Sequence, residues 1–284
     1  MDAYTDFAAV YDTFMDETPY DVWGIFVAGL IEKYGISKPV RSGPDQEKDI
    51  SQEYDTAEDS EQALDEERNL IVELGCGTGS FTQVLYKLGY DIMGVDLSPD
   101  MLNLARMKSQ KAGYNIMYLE QDMRELDLYC TAGTIVSVCD SINYVLEDRE
   151  VIDTFKLVNN FLYPKGLFIF DFNTLHKYQD VIGDTTIAEN REDCSFIWDN
   201  YYHEDDHVNE YDLTIFAKCG KEDEIFRRSV ETHFQRGYTL EEMKGFVKEA
   251  GLEFIEAIDA DTHDEPNDDS ERIYIIAREN GKRI

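Results

Sequence analysis

From residue 69 onward, short apolar runs alternate with helical stretches, and this alternation leaves few folds open to the chain. Strand-type runs stand at Leu70–Leu74, Ile92–Val95, Ile116–Leu119, Thr134–Val138 and Leu167–Phe172. Between them lie the helical stretches Phe81–Leu88, Pro99–Lys111 and Val151–Leu162. Apolar strands separated by helices mean βαβ crossovers, and hence a mostly parallel sheet. Local punctuation agrees. Ser98 supplies a hydroxyl N-cap and Pro99 stands at the first helical position. Pro164-Lys165-Gly166 is expected to stop a helix before the next strand.

The rhythm breaks between residues 184 and 236. Phe196-Ile197-Trp198, Val208–Ala217 and Ile225–Phe234 carry β-type sequence between acidic turns, which predicts a small antiparallel sheet inserted after the fifth parallel strand. The alternation then returns. Thr239 with Glu242 forms a capping box for a helix through Ala250, and Gly251 ends it. Strands follow at Phe254–Ile258 and Ile273–Ala277.

The flank before residue 69 has two parts. Residues 1–36 space Phe7, Tyr11 and Phe14, then Val22, Phe26 and Leu30, as two amphipathic helices broken near Pro19. Residues 37–68 are rich in Asp, Glu, Gln and Ser and nearly lack apolar side chains, which predicts a solvated, mobile insertion.

Composition narrows the partners. Of 284 residues, 60 are Asp or Glu and 26 are Lys or Arg, giving a formal charge of −34. Such a surface repels polyphosphates and anionic lipid, so neither nucleic acid nor a membrane surface is expected as a partner. A small or cationic ligand is compatible with it. The five cysteines, Cys76, Cys130, Cys139, Cys194 and Cys219, include no C-x-x-C pair. No zinc site or disulfide framework is expected, and a reducing, cytoplasmic setting fits. The N-terminus lacks a signal-peptide pattern, and no apolar run approaches the ~20 residues of a membrane span.

The strongest chemical signal is Glu73-Leu74-Gly75-Cys76-Gly77-Thr78-Gly79, where a strand runs through a glycine turn into a helix. Such a turn lets backbone approach a ligand closely. The glycine register is not that of a dinucleotide fingerprint, and no lysine completes a P-loop. Glu73 would repel a pyrophosphate, so a phosphate-free and perhaps cationic ligand is favoured. Asp96 ends the second strand, placed to accept from both hydroxyls of a ribose. Asp122, followed by Met123, ends the third, where an acid can accept from an adenine amine. The five histidines lie in loops or on the β insertion, where structural or solvent-facing roles are expected.

On these residues the stretch from about 69 to 172 resembles class I S-adenosylmethionine-dependent methyltransferases. The matching segments are Glu73–Gly79, Gly94-Val95-Asp96-Leu97-Ser98, Gln121-Asp122-Met123 and Pro164-Lys165-Gly166-Leu167. The opening Tyr4…Tyr11-Asp12, the segment Asp140-Ser141-Ile142-Asn143-Tyr144 and the β insertion resemble a bacterial small-molecule subgroup similar to the amino-sugar N-methyltransferases. One departure is Gly133-Thr134 at the fourth strand, where such enzymes carry Phe-Asp. The acidic insertion is another.

The resemblance implies an α/β, Rossmann-like, seven-stranded sheet of order 3-2-1-4-5-7-6 with strand 7 antiparallel. It implies S-adenosyl-L-methionine as cofactor, with contacts at Gly75, Cys76, Gly77, Asp96, Leu97, Asp122 and Met123 and with Cys139 near the methionine moiety. Residues 69–183 and 237–284 then form the core, helices in 1–36 cap the cofactor, and 184–236 lie over the substrate site. Substrate-side candidates are Tyr11, Asp140, Asn143 and Tyr144, and no metal is expected. The expected reaction is in-line methyl transfer to a small molecule, an amine being one option, by a monomer or homodimer. A protein or RNA methyltransferase and a non-catalytic cofactor-binding module are the alternatives.

Overall fold

The computed structural model describes residues 5–40, 58–219 and 225–282. Two helices, α1 (Thr5–Phe14) and α2 (Tyr20–Tyr34), open it, broken at Pro19 as their spacing predicts. The core follows as β1 (Leu70–Leu74), α4 (Ser80–Lys87), β2 (Asp91–Asp96), α5 (Pro99–Ala112), β3 (Met117–Glu120), β4 (Ala132–Ser137), α6 (Asp148–Phe161) and β5 (Leu162–Asn173). After the inserted sheet come α7 (Leu240–Glu249), β10 (Leu252–Asp259) and β11 (Arg272–Glu279). The seven core strands form one sheet in the order β10-β11-β5-β4-β1-β2-β3. β11 is antiparallel to both β5 and β10, as the resemblance implies.

Period-two alternation divides the sheet between two apolar layers. Val72, Leu74, Phe168 and Phe170 face α6 and α7, while Ile71, Ile169 and Ile276 face α2 and α4. Both layers are buried, which is why these strands read as nearly continuous apolar runs. The caps form where expected. The Ser98 hydroxyl accepts from Met101 N–H at 3.3 Å, and Thr239 and Glu242 make a reciprocal capping box.

Three sequence expectations need correction. Pro164-Lys165-Gly166 does not separate a helix from a strand. α6 already ends at Phe161 and β5 runs from Leu162 through the motif. Lys165 adopts φ +67° there, held by its N–H donating to Glu279 at 2.9 Å. The second concerns the acidic segment, whose end is helical: α3 (Glu58–Asn69) leads directly into β1. Its Glu, Gln, Ala, Leu and Arg favour a helix without apolar burial. Its last turn is anchored, since Glu67 accepts from the Thr131 N–H and hydroxyl. Residues 41–57 of that segment lie outside the described residues. The third correction adds a strand to the inserted sheet.

α3 also accounts for the departure at Gly133. A Cβ there would lie 1.7 Å from the Arg68 carbonyl oxygen. Only glycine lets the end of α3 cross β4 so closely. Beside it the Thr134 and Ser37 hydroxyls bond at 2.8 Å.

The insertion is a separate antiparallel sheet in the order β6-β7-β8-β9, comprising β6 (Thr186–Asn190), β7 (Cys194–His203), β8 (Val208–Lys218) and β9 (Phe226–Arg236). Its inner face carries Cys194, Tyr211, Leu213 and Ile215, packed with Val10 and Phe14 of α1. Among the described residues no helix is long and apolar enough to cross a membrane.

Candidate active site

The carboxyl ends of β1, β2, β3 and β4 open onto one cavity of about 580 Å³, roofed by the inserted sheet and by α1 and α2. That is the size range of small-molecule sites. Gly75, Cys76, Gly77, Asp96, Leu97, Asp122, Met123 and Cys139 all line it, as do Tyr11, Asp140 and Tyr144. Asn143 does not. Its side chain is buried and fully used: Nδ2 donates to the carbonyls of Asn173 (2.9 Å) and Arg236 (2.7 Å), and Oδ1 accepts from Asn173 N–H at 2.8 Å. It ties β9 to β5 and is a strut rather than a substrate contact.

On the β1–β3 side the backbone forms the wall. Gly75 and Cys76 N–H groups bond the Val95 carbonyl at 2.8 and 3.0 Å, drawing the turn over β2. Gly77 stands at φ +52° with nothing within 4 Å of where a Cβ would be, so its backbone faces open space. Asp96 accepts from Gly77 N–H at 2.7 Å and from Ser98 N–H at 2.8 Å. Burial pushes its carboxyl up, against the pull of those N–H groups. Asp122 is gripped by Arg124 at 2.7 Å, which holds its carboxyl below the usual range.

Glu73 is buried at the base of the turn, bonded by the Thr82 hydroxyl. Burial pushes its carboxyl up to about 8. A latch beside the turn holds α1. Lys108 Nζ donates to Asp12 (2.7 Å), Ser80 (2.8 Å) and Thr78 (3.1 Å), and the Thr78 hydroxyl donates to Asp12 at 2.6 Å.

On the β4 side, side chains from distant segments build the wall. Cys139 and Asp140 follow β4 at φ +59° and +54°, a left-handed conformation disfavoured for residues with a Cβ. Asp171, fully buried near the end of β5, accepts from both their N–H groups, at 3.0 and 2.7 Å. Asp140 in turn accepts from Arg272 Nη2 and from Gln235 Nε2, each at 2.7 Å. Arg272 stacks over Trp23 of α2 with its guanidinium 5.6 Å from the ring centre. Tyr11 and Tyr20 lie close by, and burial pushes both phenols up.

The sequence reading missed Asp171, Arg272 and Trp23. A signal existed for Asp171, an acid between Phe170 and Phe172 in a strand buried on both faces. Arg272 gave no local sign. It reaches the site because β11 is antiparallel, so that strand's first residue lies at the carboxyl edge of β5, opposite Asn173. The remaining walls come from the inserted sheet and α1. Phe14 meets Phe196 edge-on at 4.8 Å, Trp198 meets Tyr211 at 5.0 Å, and the Tyr144 and Tyr211 hydroxyls bond at 2.8 Å. Of the histidines, His233 is buried and stacks on Tyr211 at 5.0 Å behind the cavity wall.

This geometry was compared with known proteins. A methyltransferase-domain family profile matches residues 71–166. A protein of Geobacillus sp. (strain WCH70) that bears a methyltransferase name is 32% identical over 97% of this chain and 99% of its own length. The chain belongs to the S-adenosylmethionine-dependent methyltransferases. The methyltransferase shares its fold with an S-adenosylmethionine-dependent methyltransferase from Clostridium acetobutylicum ATCC 824, at TM-score 0.77 and 23% identity over 99% of this chain and 100% of that one. It also shares it with the sugar N-methyltransferase KedS8 from Streptoalloteichus sp ATCC 53650, at TM-score 0.59 and 16% identity over 84% of this chain and 98% of that one. The cofactor of this methyltransferase is therefore S-adenosyl-L-methionine, and the enzyme is a transferase with a Rossmann-like core.

Proposed function

We propose that the enzyme transfers the methyl group to a small molecule held between the β4 wall and the inserted sheet. The observation that carries this reading is the cavity in which the strand ends and the aromatic face of the inserted sheet meet. Against a nucleic-acid acceptor stands the charge of −34, which repels phosphates.

The residues present fit the cofactor. Open space above Gly77 admits an adenosyl group against backbone, and Asp96 offers carboxylate oxygens at the strand end for ribose hydroxyls. Gly75, Cys76, Leu97, Asp122 and Met123 line the same edge, and Cys139 closes it toward β4. When bound, the cofactor supplies a methyl group on a sulfonium that needs no further activation. The chain's part is to align and enclose. In this reading α1 and α2 cap the cofactor through Tyr11, Tyr20 and the Lys108 latch. Asp140 and Tyr144 flank the acceptor, and the 184–236 sheet roofs it. The acceptor nucleophile, an amine among the options, attacks in its neutral form. The similarity to KedS8 is one of fold and leaves the acceptor atom open.

The test is a metabolite extract incubated with enzyme and methyl-labelled cofactor, with mass analysis of the labelled product. Label in a small molecule supports the reading. Label confined to protein or RNA, or cofactor binding without transfer, overturns it.

A further inference from the structure

Taking the acceptor to be a small molecule, as just proposed, we infer that it is an uncharged, phosphate-free compound with a flat aromatic ring carrying a hydroxyl or amine, seated among Phe14, Phe196 and Trp198 and oriented by the Tyr144–Tyr211 hydroxyl pair. A phosphate or carboxylate on the acceptor would need a free cation. The cationic side chains lining the cavity are Arg124 and Arg272. Arg124 forks Asp122 and reaches Glu150 at 3.3 Å. Arg272 is bonded to Asp140 at 2.7 Å. Neither is left to neutralise a ligand anion.

An ammonium acceptor fails the complementary test. The carboxylates on the acceptor side are Asp140 and Glu189. One oxygen of Asp140 is taken by Arg272 and the other by Gln235, and Glu189 is bonded by Arg191. Arg191 is itself tied to Asp16 at 2.6 Å. A cationic acceptor would also stand beside the sulfonium of the cofactor with no free carboxylate between them. The charge of −34 draws cations toward the whole surface, but on the acceptor side of this chamber Asp140 and Glu189 already have cationic partners.

What remains is aromatic surface with a few polar points. Aromatic side chains that meet at 4.8–5.0 Å centre to centre offer faces and edges to a flat ring. Trp198 lines the cavity with its ring, while its indole N–H is buried away from it. Tyr144 and Tyr211 present bonded hydroxyls at 2.8 Å, able to receive the acceptor's O–H or N–H. In transfer, the acceptor lone pair forms the new bond to the methyl carbon as the carbon–sulfur bond breaks. The electrons of that bond stay on sulfur, and the acceptor's proton passes to water. Tyr144 is 37% exposed, so water reaches it.

The experiment measures transfer of labelled methyl to a panel comprising a phenol, a catechol, an arylamine, a free amino sugar, a nucleoside diphosphate sugar and a quaternary-ammonium alcohol. A metabolite extract runs beside them. The expected result is a kcat/KM at least tenfold higher for ring acceptors than for the phosphorylated or cationic ones. Tyr211→Phe and Trp198→Phe should raise the KM of the ring acceptor about tenfold and leave the cofactor dissociation constant within twofold. Preference for the amino sugar, the diphosphate or the cation overturns this inference and leaves the small-molecule reading standing. So does an acceptor KM unmoved by both variants. Label found only in macromolecules, or nowhere, overturns both.

Discussion

The two walls of the cavity are built by opposite means. The β1–β3 wall is local: each strand delivers its own element within a few residues of its end, and the glycine turn works through backbone atoms. The β4 wall is assembled from β4, β5, β9, β11 and α2, and works through side chains that hold one another. Asp171 holds two left-handed residues, Asp140 holds Arg272 and Gln235, and Asn143 holds β9 to β5. A wall made of backbone tolerates change in the side chains around it. A wall made of coupled side chains changes with each member, which suits the part of a site that must differ between acceptors.

The largest expected effect comes from removing the centre of the coupled wall. Asp171→Ala leaves two half-buried N–H groups unpaired and weakens the charge balance around Arg272. A loss of about 3–5 kcal/mol is expected, as for breaking a buried charge pair. Adding Cys139→Gly should return about 1 kcal/mol, because glycine accepts a positive φ. Urea midpoints of the two variants give both numbers. An unchanged midpoint in Asp171→Ala would mean that the loop holds itself.

On the local wall, Asp96→Ala should weaken cofactor binding by one to two decades, roughly 1.5–3 kcal/mol, while the fold survives. Calorimetry on a variant with native circular dichroism reads this directly. A dissociation constant equal to wild type would remove Asp96 from the cofactor site.

Glu73 gives a prediction in pH. Its folded value of about 8 lies above the ordinary glutamate value, because burial disfavours the charged form. The folded state therefore holds its proton more tightly than the unfolded chain. The stabilisation is complete below about pH 4.3 and is lost as pH rises toward 8, by at most a few kcal/mol. Glu73→Gln, still able to accept from Thr82, should flatten this part of the melting-temperature profile. A profile identical to wild type would show that Glu73 does not titrate across that range.

The smallest effect is at the α1 latch. The Lys108–Asp12 pair is 30% and 41% exposed, so Lys108→Met should cost under about 1 kcal/mol. Faster amide exchange confined to α1 would separate loosening of the cap from damage to the core. Uniformly faster exchange would count against a local latch.

The same contrast explains how much was legible. β1 to β5, the capping residues and the antiparallel insertion follow from patterns within a dozen residues, and they stand close to where the sequence puts them. That Gly75, Asp96 and Asp122 share one cavity edge was readable for the same reason: each is adjacent to the strand that positions it. Asp171 and Arg272 were not read, because their meaning depends on strand order. Asn143 was misread because its neighbours Asp140 and Tyr144 face the cavity while its own amide is spent across 30 and 93 residues on Asn173 and Arg236. Helix α3 was missed because it carries little apolar surface. Its backbone is favoured by composition, and the contact that fixes it, against Gly133, is long-range.

The position of β11 also sets an order of assembly. β11 lies between β5 and β10, so β10, made earlier in the chain, has no neighbour in the sheet until β11 arrives. Arg272 arrives with it. During synthesis the β1–β3 edge can form while the β4 wall still lacks the guanidinium that ties Asp140 to Trp23. If the β1–β3 edge holds the cofactor and the β4 wall the acceptor, as proposed, a nascent chain halted before residue 272 would bind the first before it could position the second. Competence for transfer would come in a single late step, as the last of these strands is inserted between two that already wait for it.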